Sequence, residues 1–205
     1  MDTQTKAQVL ASYVRSHDDF EIVQNMDGPY KHMGATIADA ILQAGINYEA
    51  VVRPRIRRIL TVYPDATSTS AFWQLLQDKG AKAVLDWKDD EKPNRVLRLM
   101  EFLLNEGIED ENDLSRWWGD ESNKKRLLEI KGIGPKTVDY IGILVGRQTA
   151  APDINLYKLL KECGINTSGY EETQLVFNCC ADVLGVEPAL FDHSVWRYMS
   201  HRKGP

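Results

Sequence analysis

The sequence predicts an all-α fold. Apolar residues recur at spacings of three and four along nearly the whole chain. Glycine and proline punctuate it at the lengths of ordinary helices, and no pair of alternating apolar runs is joined by a hairpin turn. The 205 residues are 43% hydrophobic and 27% charged, which is enough apolar material for a sizeable core.

The elements follow in order. Val9, Leu10, Tyr13 and Val14 make the first stripe, and Ile37, Ala40, Ile41 and Ala44 the second, ended by Gly45. Asn47 is placed to cap the next helix, which Pro54 divides, leaving Ile56, Ile59, Leu60 and Tyr63 on a second segment. Ser70 is expected to cap a helix carrying Phe72, Leu75 and Leu76, closed by Gly80. The strongest stripe, Val96, Leu97, Leu99, Met100, Leu103 and Leu104, lies between Pro93 and Gly107, and a short helix around Leu114 to Trp118 follows. Three more helices are expected near the C-terminus. One starts at Asp153 and ends before Gly164. One holds Leu175, Val176, Cys179 and Val183 and ends before Gly185. The last opens at Pro188 and carries Phe191, Val195 and Tyr198 or Met199.

Composition excludes several classes. No window approaches the roughly 18 apolar residues of a membrane span. The start, Met1 to Lys6, has no apolar signal region, so a cytoplasmic location is expected. Cys163, Cys179 and Cys180 are odd in number and form no C-x-x-C pair, and the four histidines are scattered. Neither a disulfide framework nor a metal centre is therefore expected. The net charge of −5 runs against nucleic-acid binding, but charge is patterned. Arg53, Arg55, Arg57 and Arg58 cluster, as do Lys124, Lys125, Arg126 and Lys131, each run being either a basic footprint or a solvated helix face.

The stretch Leu127 to Val138 carries the most chemistry. Gly132 and Gly134 permit a tight turn with positive φ and a close backbone approach, and Pro135 suits a first helical position. The N–H groups that follow make an anion site. Leu128, Ile130, Ile133, Val138 and Ile141 are expected to pack the flanking helices together. Such a helix-hairpin-helix grips a DNA phosphate without reading sequence, through Lys131, Gly132, Ile133, Gly134 and Thr137. Its alternative is an ordinary helical corner. Lys136 stands in the first turn of the second helix, where the dipole disfavours positive charge and pushes the amine toward its neutral, nucleophilic form. Asp153, at the start of a later helix, reads as an N-cap or as a carboxylate that stabilises positive charge.

These residues, with Pro152-Asp153, resemble the helix-hairpin-helix, glycine/proline-rich, aspartate-containing (HhH-GPD) DNA glycosylases of the endonuclease III type. Ala38 to Ala44 and Ile56 to Pro64 are similar to two early helices of that family, so the resemblance covers roughly residues 35 to 165. It implies two all-α subdomains with the DNA site in the cleft between them. One is formed by 1–34 with 147–205. The other is a helical barrel over 35–146 that contains the hairpin at 127–145. It also implies a monomeric base-excision-repair enzyme without a cofactor, acting on double-stranded DNA that carries a damaged base or an abasic site. Lys136 at this position marks the bifunctional glycosylase/AP-lyase members, Asp153 their essential carboxylate, and Gln43 a residue near the orphan base.

Three departures stand out. Asn155 replaces the histidine that usually follows the aspartate, the four-cysteine iron–sulfur loop is absent, and Phe191 to Trp196 matches nothing in the endonuclease III pattern. Tyr140 either lines a base pocket or is a half-buried core residue. Asp139 is placed to pair with Lys136. Trp117 and Trp118 read as core and surface cover. Beside the bifunctional enzyme stand a monofunctional glycosylase, in which Asp153 acts with water, and a non-catalytic DNA-binding module.

Overall fold

The computed structural model describes residues 1–26 and 28–202. Among them there is no strand. The helices, in chain order, are α1 (Thr3–Ser16), α2 (Met33–Leu42), α3 (Arg53–Val62), α4 (Thr69–Lys79), α5 (Ala81–Leu85) and α6 (Glu91–Asn105). They continue as α7 (Glu111–Trp118), α8 (Glu121–Leu128), α9 (Pro135–Leu144), α10 (Ile154–Glu162), α11 (Tyr170–Leu184) and α12 (Pro188–His201). A π-helical turn, Tyr48–Val52, leads into α3. Asn47 caps it from Oδ1, and Pro54 sits in the first turn of α3. The capping residue of α4 is Ser68 rather than Ser70. Ser68 Oγ accepts from the Ala71 N–H, while Ser70 donates to the Glu109 carboxylate. No single helix among the described residues is long and apolar enough to cross a membrane. The α11–α12 pair passes that test only jointly, with a bend of 103°.

The chain divides into two compact units, Met1–Met26 with Arg147–Pro205, and Asp27–Gly146. Residues 28–34 therefore belong with the contiguous unit, not with the termini. The reason is a buried carboxylate. Glu111, at the start of α7, accepts the backbone N–H groups of Tyr30 (3.1 Å), Lys31 (2.9 Å) and His32 (3.4 Å), and the Thr36 hydroxyl. Four donors on one carboxylate hold this approach to α2 in place. No periodic pattern in the sequence announces it.

The contiguous unit packs Ile37, Leu42, Ile59, Phe72, Leu85, Leu99, Met100 and Leu103, all fully buried, at its centre. The terminal unit has its own core, in which Leu10 of α1, Val176 and Phe177 of α11 and Phe191 and Val195 of α12 meet. Two separate clusters follow from the size of the chain, since each buries one face of a small set of helices. Burial pushes the Cys163 and Cys180 thiols up to about 12, so both stay protonated at neutral pH.

An ion pair joins α1 to α11 in the terminal unit. The Lys6 ammonium bonds Glu172, which also accepts the Ser168 N–H and hydroxyl; Lys6 first, then Ser168, bring the Glu172 carboxyl down to about 2. A lowered carboxyl pKa contributes stability above the ordinary carboxylate range that is lost as pH falls toward 2. Glu172→Gln is therefore expected to melt below wild type near pH 6, with the gap closing as pH falls from about 4.5 to about 2. A gap independent of pH in thermal melts would show that the ion pair contributes nothing.

Candidate active site

The helix-hairpin-helix is present in the contiguous unit. The last turn of α8 closes through the Ile130 N–H on the Leu127 carbonyl, and the Ile133 N–H turns back to the Ile130 carbonyl at 2.9 Å. Gly132 takes φ +90°, a conformation that favours glycine, and a Cβ there would meet the Arg95 side chain at 2.6 Å. Gly134 does not share that conformation. Its φ is −114° and its ψ 175°, so it is extended, and it serves as the N-cap of α9. A Cβ at Gly134 would meet nothing within 4 Å. Having no side chain, it leaves the first-turn N–H groups of α9 without a side-chain cap. Pro135 follows at the first helical position.

Packing of the two hairpin helices differs from expectation in one residue. Leu127, not Leu128, is the buried member; Leu128 is 42% exposed. It joins Ile133, Val138 and Ile141 in the core, with Ile130 packed against them. Trp118 seals the back of α9. Its indole N–H donates to the Val138 carbonyl at 2.7 Å, and its ring lies where a Cβ on Gly142 would come within 2.5 Å. From α6, Arg98 donates to the Lys131 carbonyl at 3.2 Å and braces the turn from outside.

Lys136, half-buried in the first turn of α9, donates from Nζ to Oε1 of Gln43 at 2.5 Å. Its amine lies 5.9 Å from the centre of the Tyr140 ring, one helical turn on. Gln43 is the C-cap of α2, so the end of α2 and the start of α9 meet at these two side chains. One turn back along α2 sits Asp39, fully buried. Asp39 accepts the hydroxyls of Tyr30 (2.6 Å), Tyr48 (2.9 Å) and Tyr140 (3.4 Å). Burial first, then the Asp39 charge, raise the Tyr30 phenol, which stays a donor at any physiological pH. Lys136, Gln43 and Tyr140 are thus brought together, and Asp39, Tyr30 and Tyr48 join them. Nothing in the sequence singled out those last three. Their only signal was the spacing of Asp39 and Gln43, one helical turn apart on the same face.

Asp153 belongs to the terminal unit. It is the N-cap of α10, its Oδ1 accepting the N–H groups of Asn155 (2.7 Å) and Leu156 (3.2 Å). Asn155, in the place of the expected histidine, donates from its amide to the other carboxylate oxygen at 3.3 Å. The strand-like approach, residues 149–151, is pinned from two helices. Asp192 of α12 accepts the Ala151 N–H at 2.9 Å. Asn178 of α11 accepts the Ala150 N–H at 2.9 Å, and Gln174 donates to the Ala150 carbonyl at 2.9 Å. The C-terminal segment around Asp192, which fits no motif, therefore has a visible task. It sets the backbone that delivers Asp153.

The basic runs are largely engaged within their own unit. Arg53 pairs with Glu49, Arg55 with Asp86, Lys124 with Glu121, and Arg126 with Glu106. Lys125 and Lys131 beside the hairpin, and Arg57 on α3, are exposed. Thr137 is buried against the hairpin rather than displayed. Among the described residues no group of three or more His, Cys, Asp or Glu is arranged to hold a metal ion. No family model matches the chain, and no curated protein is similar enough to match it.

Proposed function

We propose that the chain is a base-excision-repair DNA glycosylase with AP-lyase activity, of the HhH-GPD class. The observation that carries this reading is the pairing of a phosphate-type hairpin with the amine directly behind it. Lys136 follows Gly132-Ile133-Gly134-Pro135 and is held by the Gln43 amide. A neutral amide stabilises an ammonium less than a carboxylate would, and the α9 N-terminus opposes positive charge as well. Both favour an amine with a free lone pair. Support for the two-subdomain arrangement comes from the division of the chain into one unit that joins both termini and one contiguous unit.

The chemistry follows from these groups. DNA is gripped through phosphates by the hairpin N–H groups with Lys131, independently of sequence. The target nucleotide leaves the stack to expose its sugar. The Lys136 lone pair forms a bond to C1′ as the glycosidic bond breaks; that bond's electron pair leaves on the base, which takes up a proton. Positive charge that builds on the sugar is stabilised by the Asp153 carboxylate. Ring opening gives an iminium, and loss of a C2′ proton then expels the 3′ phosphate. The mechanism needs no cofactor. Duplex DNA with a damaged base or an abasic site is the partner assigned, and the enzyme would act as a monomer.

The test is to incubate the protein with duplex DNA carrying an abasic site and to add borohydride, which reduces an iminium to a stable amine. A covalent adduct and strand cleavage are the expected results. Base release from damaged duplex with neither adduct nor cleavage would select a monofunctional enzyme instead. Binding without any reaction would leave only a DNA-binding module.

The hairpin has its own test. Gly134 is extended and has open space at its Cβ, so Gly134→Val is expected to fold as wild type does. The added methyls would stand where a phosphate approaches the first turn of α9. Affinity for duplex DNA should drop about tenfold or more, equally for all sequences, and the salt dependence should become shallower. Unchanged affinity in a fluorescence-anisotropy titration would remove the hairpin from the interface.

A further inference from the structure

Lys92, on α6, is half-buried, and its amine donates to the carbonyl oxygens of Leu42 at 2.5 Å and Ala44 at 2.8 Å. Those two carbonyls flank Gln43, whose amide oxygen accepts from Lys136. One lysine thus holds the backbone on both sides of the residue that holds the other. The Trp87 ring covers Lys92 at 5.1 Å. Burial first, then the Arg95 charge, bring the Lys92 amine down to about 8; Lys136 acts in the same direction and Asp89 against it. Coulomb repulsion is mutual, so a charge on Lys92 also disfavours an ammonium at Lys136.

We propose that Lys92 is a positioning residue for Lys136: it fixes the end of α2 so that Gln43 presents its amide to the amine, and its charge favours the neutral, nucleophilic form of that amine. This rests on the nucleophile role assigned to Lys136 above. Other charged groups surround the pair. Asp39 with the phenols of Tyr30 and Tyr48 stands on the α2 side, and α6 adds Glu91, Arg95 and Arg98. The α8 end and turn carry Lys125, Glu129 and Lys131, and α9 itself Asp139 and Tyr140. Asp39 favours the ammonium form of Lys136, opposing Lys92. All of these groups stay in place when Lys92 alone is substituted, so the change reports Lys92.

The experiment titrates Lys136 in the DNA-free protein by carbon-13 NMR of labelled lysine side chains, with Lys136→Arg to assign the resonance. Lys92→Gln keeps a donor for the two carbonyls and removes the charge. It should raise the Lys136 midpoint by roughly half to one pH unit. The pH profile of borohydride trapping should move up by the same amount. Lys92→Arg should restore both toward wild type. In the wild-type protein, each lysine resonance should show a second inflection where the other titrates, a check that needs no variant. Equal midpoints in wild type and Lys92→Gln, or a Lys92→Arg variant that behaves like Lys92→Gln, would overturn the proposal. A midpoint that moves in a protein that never forms an adduct would uphold the coupling and sink the lyase role of Lys136.

Discussion

Lys136→Gln is expected to eliminate the borohydride adduct and strand cleavage at an abasic site, a loss of at least about a thousandfold, while duplex binding survives. An amide has no lone pair able to form the iminium, so the covalent route closes completely. Binding should change little, because at most one phosphate contact is lost and the salt slope falls by about one. Stability should stay within about 1 kcal/mol of wild type, since the side chain is half-buried in a first helical turn and glutamine still reaches Gln43. An adduct of wild-type yield in Lys136→Gln would move the nucleophile to another amine and end the role given to Lys136.

The second large effect is expected at Asp153. Asparagine caps a helix about as well as aspartate, so Asp153→Asn should keep α10 and melt near wild type. The carboxylate charge is what disappears. Base release should then fall by about 10²–10³ in single-turnover assays, the scale of losing one preorganised electrostatic group. Cleavage at a preformed abasic site should suffer less, because the base has already gone. Asp153→Ala should lose both the reaction and the cap, with about 1 kcal/mol of stability. If Asp153→Asn released base at the wild-type rate, Asp153 would be a cap and nothing more.

Local features were the most legible part of the chain. Pro135 at a helix start, Asp153 as an N-cap and the break at Pro54 depend on residues a few positions away, and each is where the sequence puts it. Errors arose where two residues could do one local job. Ser68 and Ser70 both precede the Phe72 stripe, and only the competing Glu109 carboxylate decides which one caps α4. Leu127 and Leu128 are equally apolar, and the packing angle of α8 on α9 buries the first. Gly134 looked like a partner of Gly132 in a positive-φ turn. Its glycine instead leaves open space ahead of a helix start.

Two kinds of information thus separate. The sequence by itself determined the all-α class, most helix limits, the glycine turn and the lysine behind it, because periodicity, capping and turn chemistry act within about one helical turn. Tertiary structure alone decided what surrounds that lysine. Gln43 reaches Lys136 across 93 positions, and Asp39 meets Tyr140 across 101. It also decided that residues 28–34 join the contiguous unit, through Glu111 about 80 positions away, and that Lys92 closes the end of α2. Such pairings depend on where helices end up in space, which no local pattern encodes.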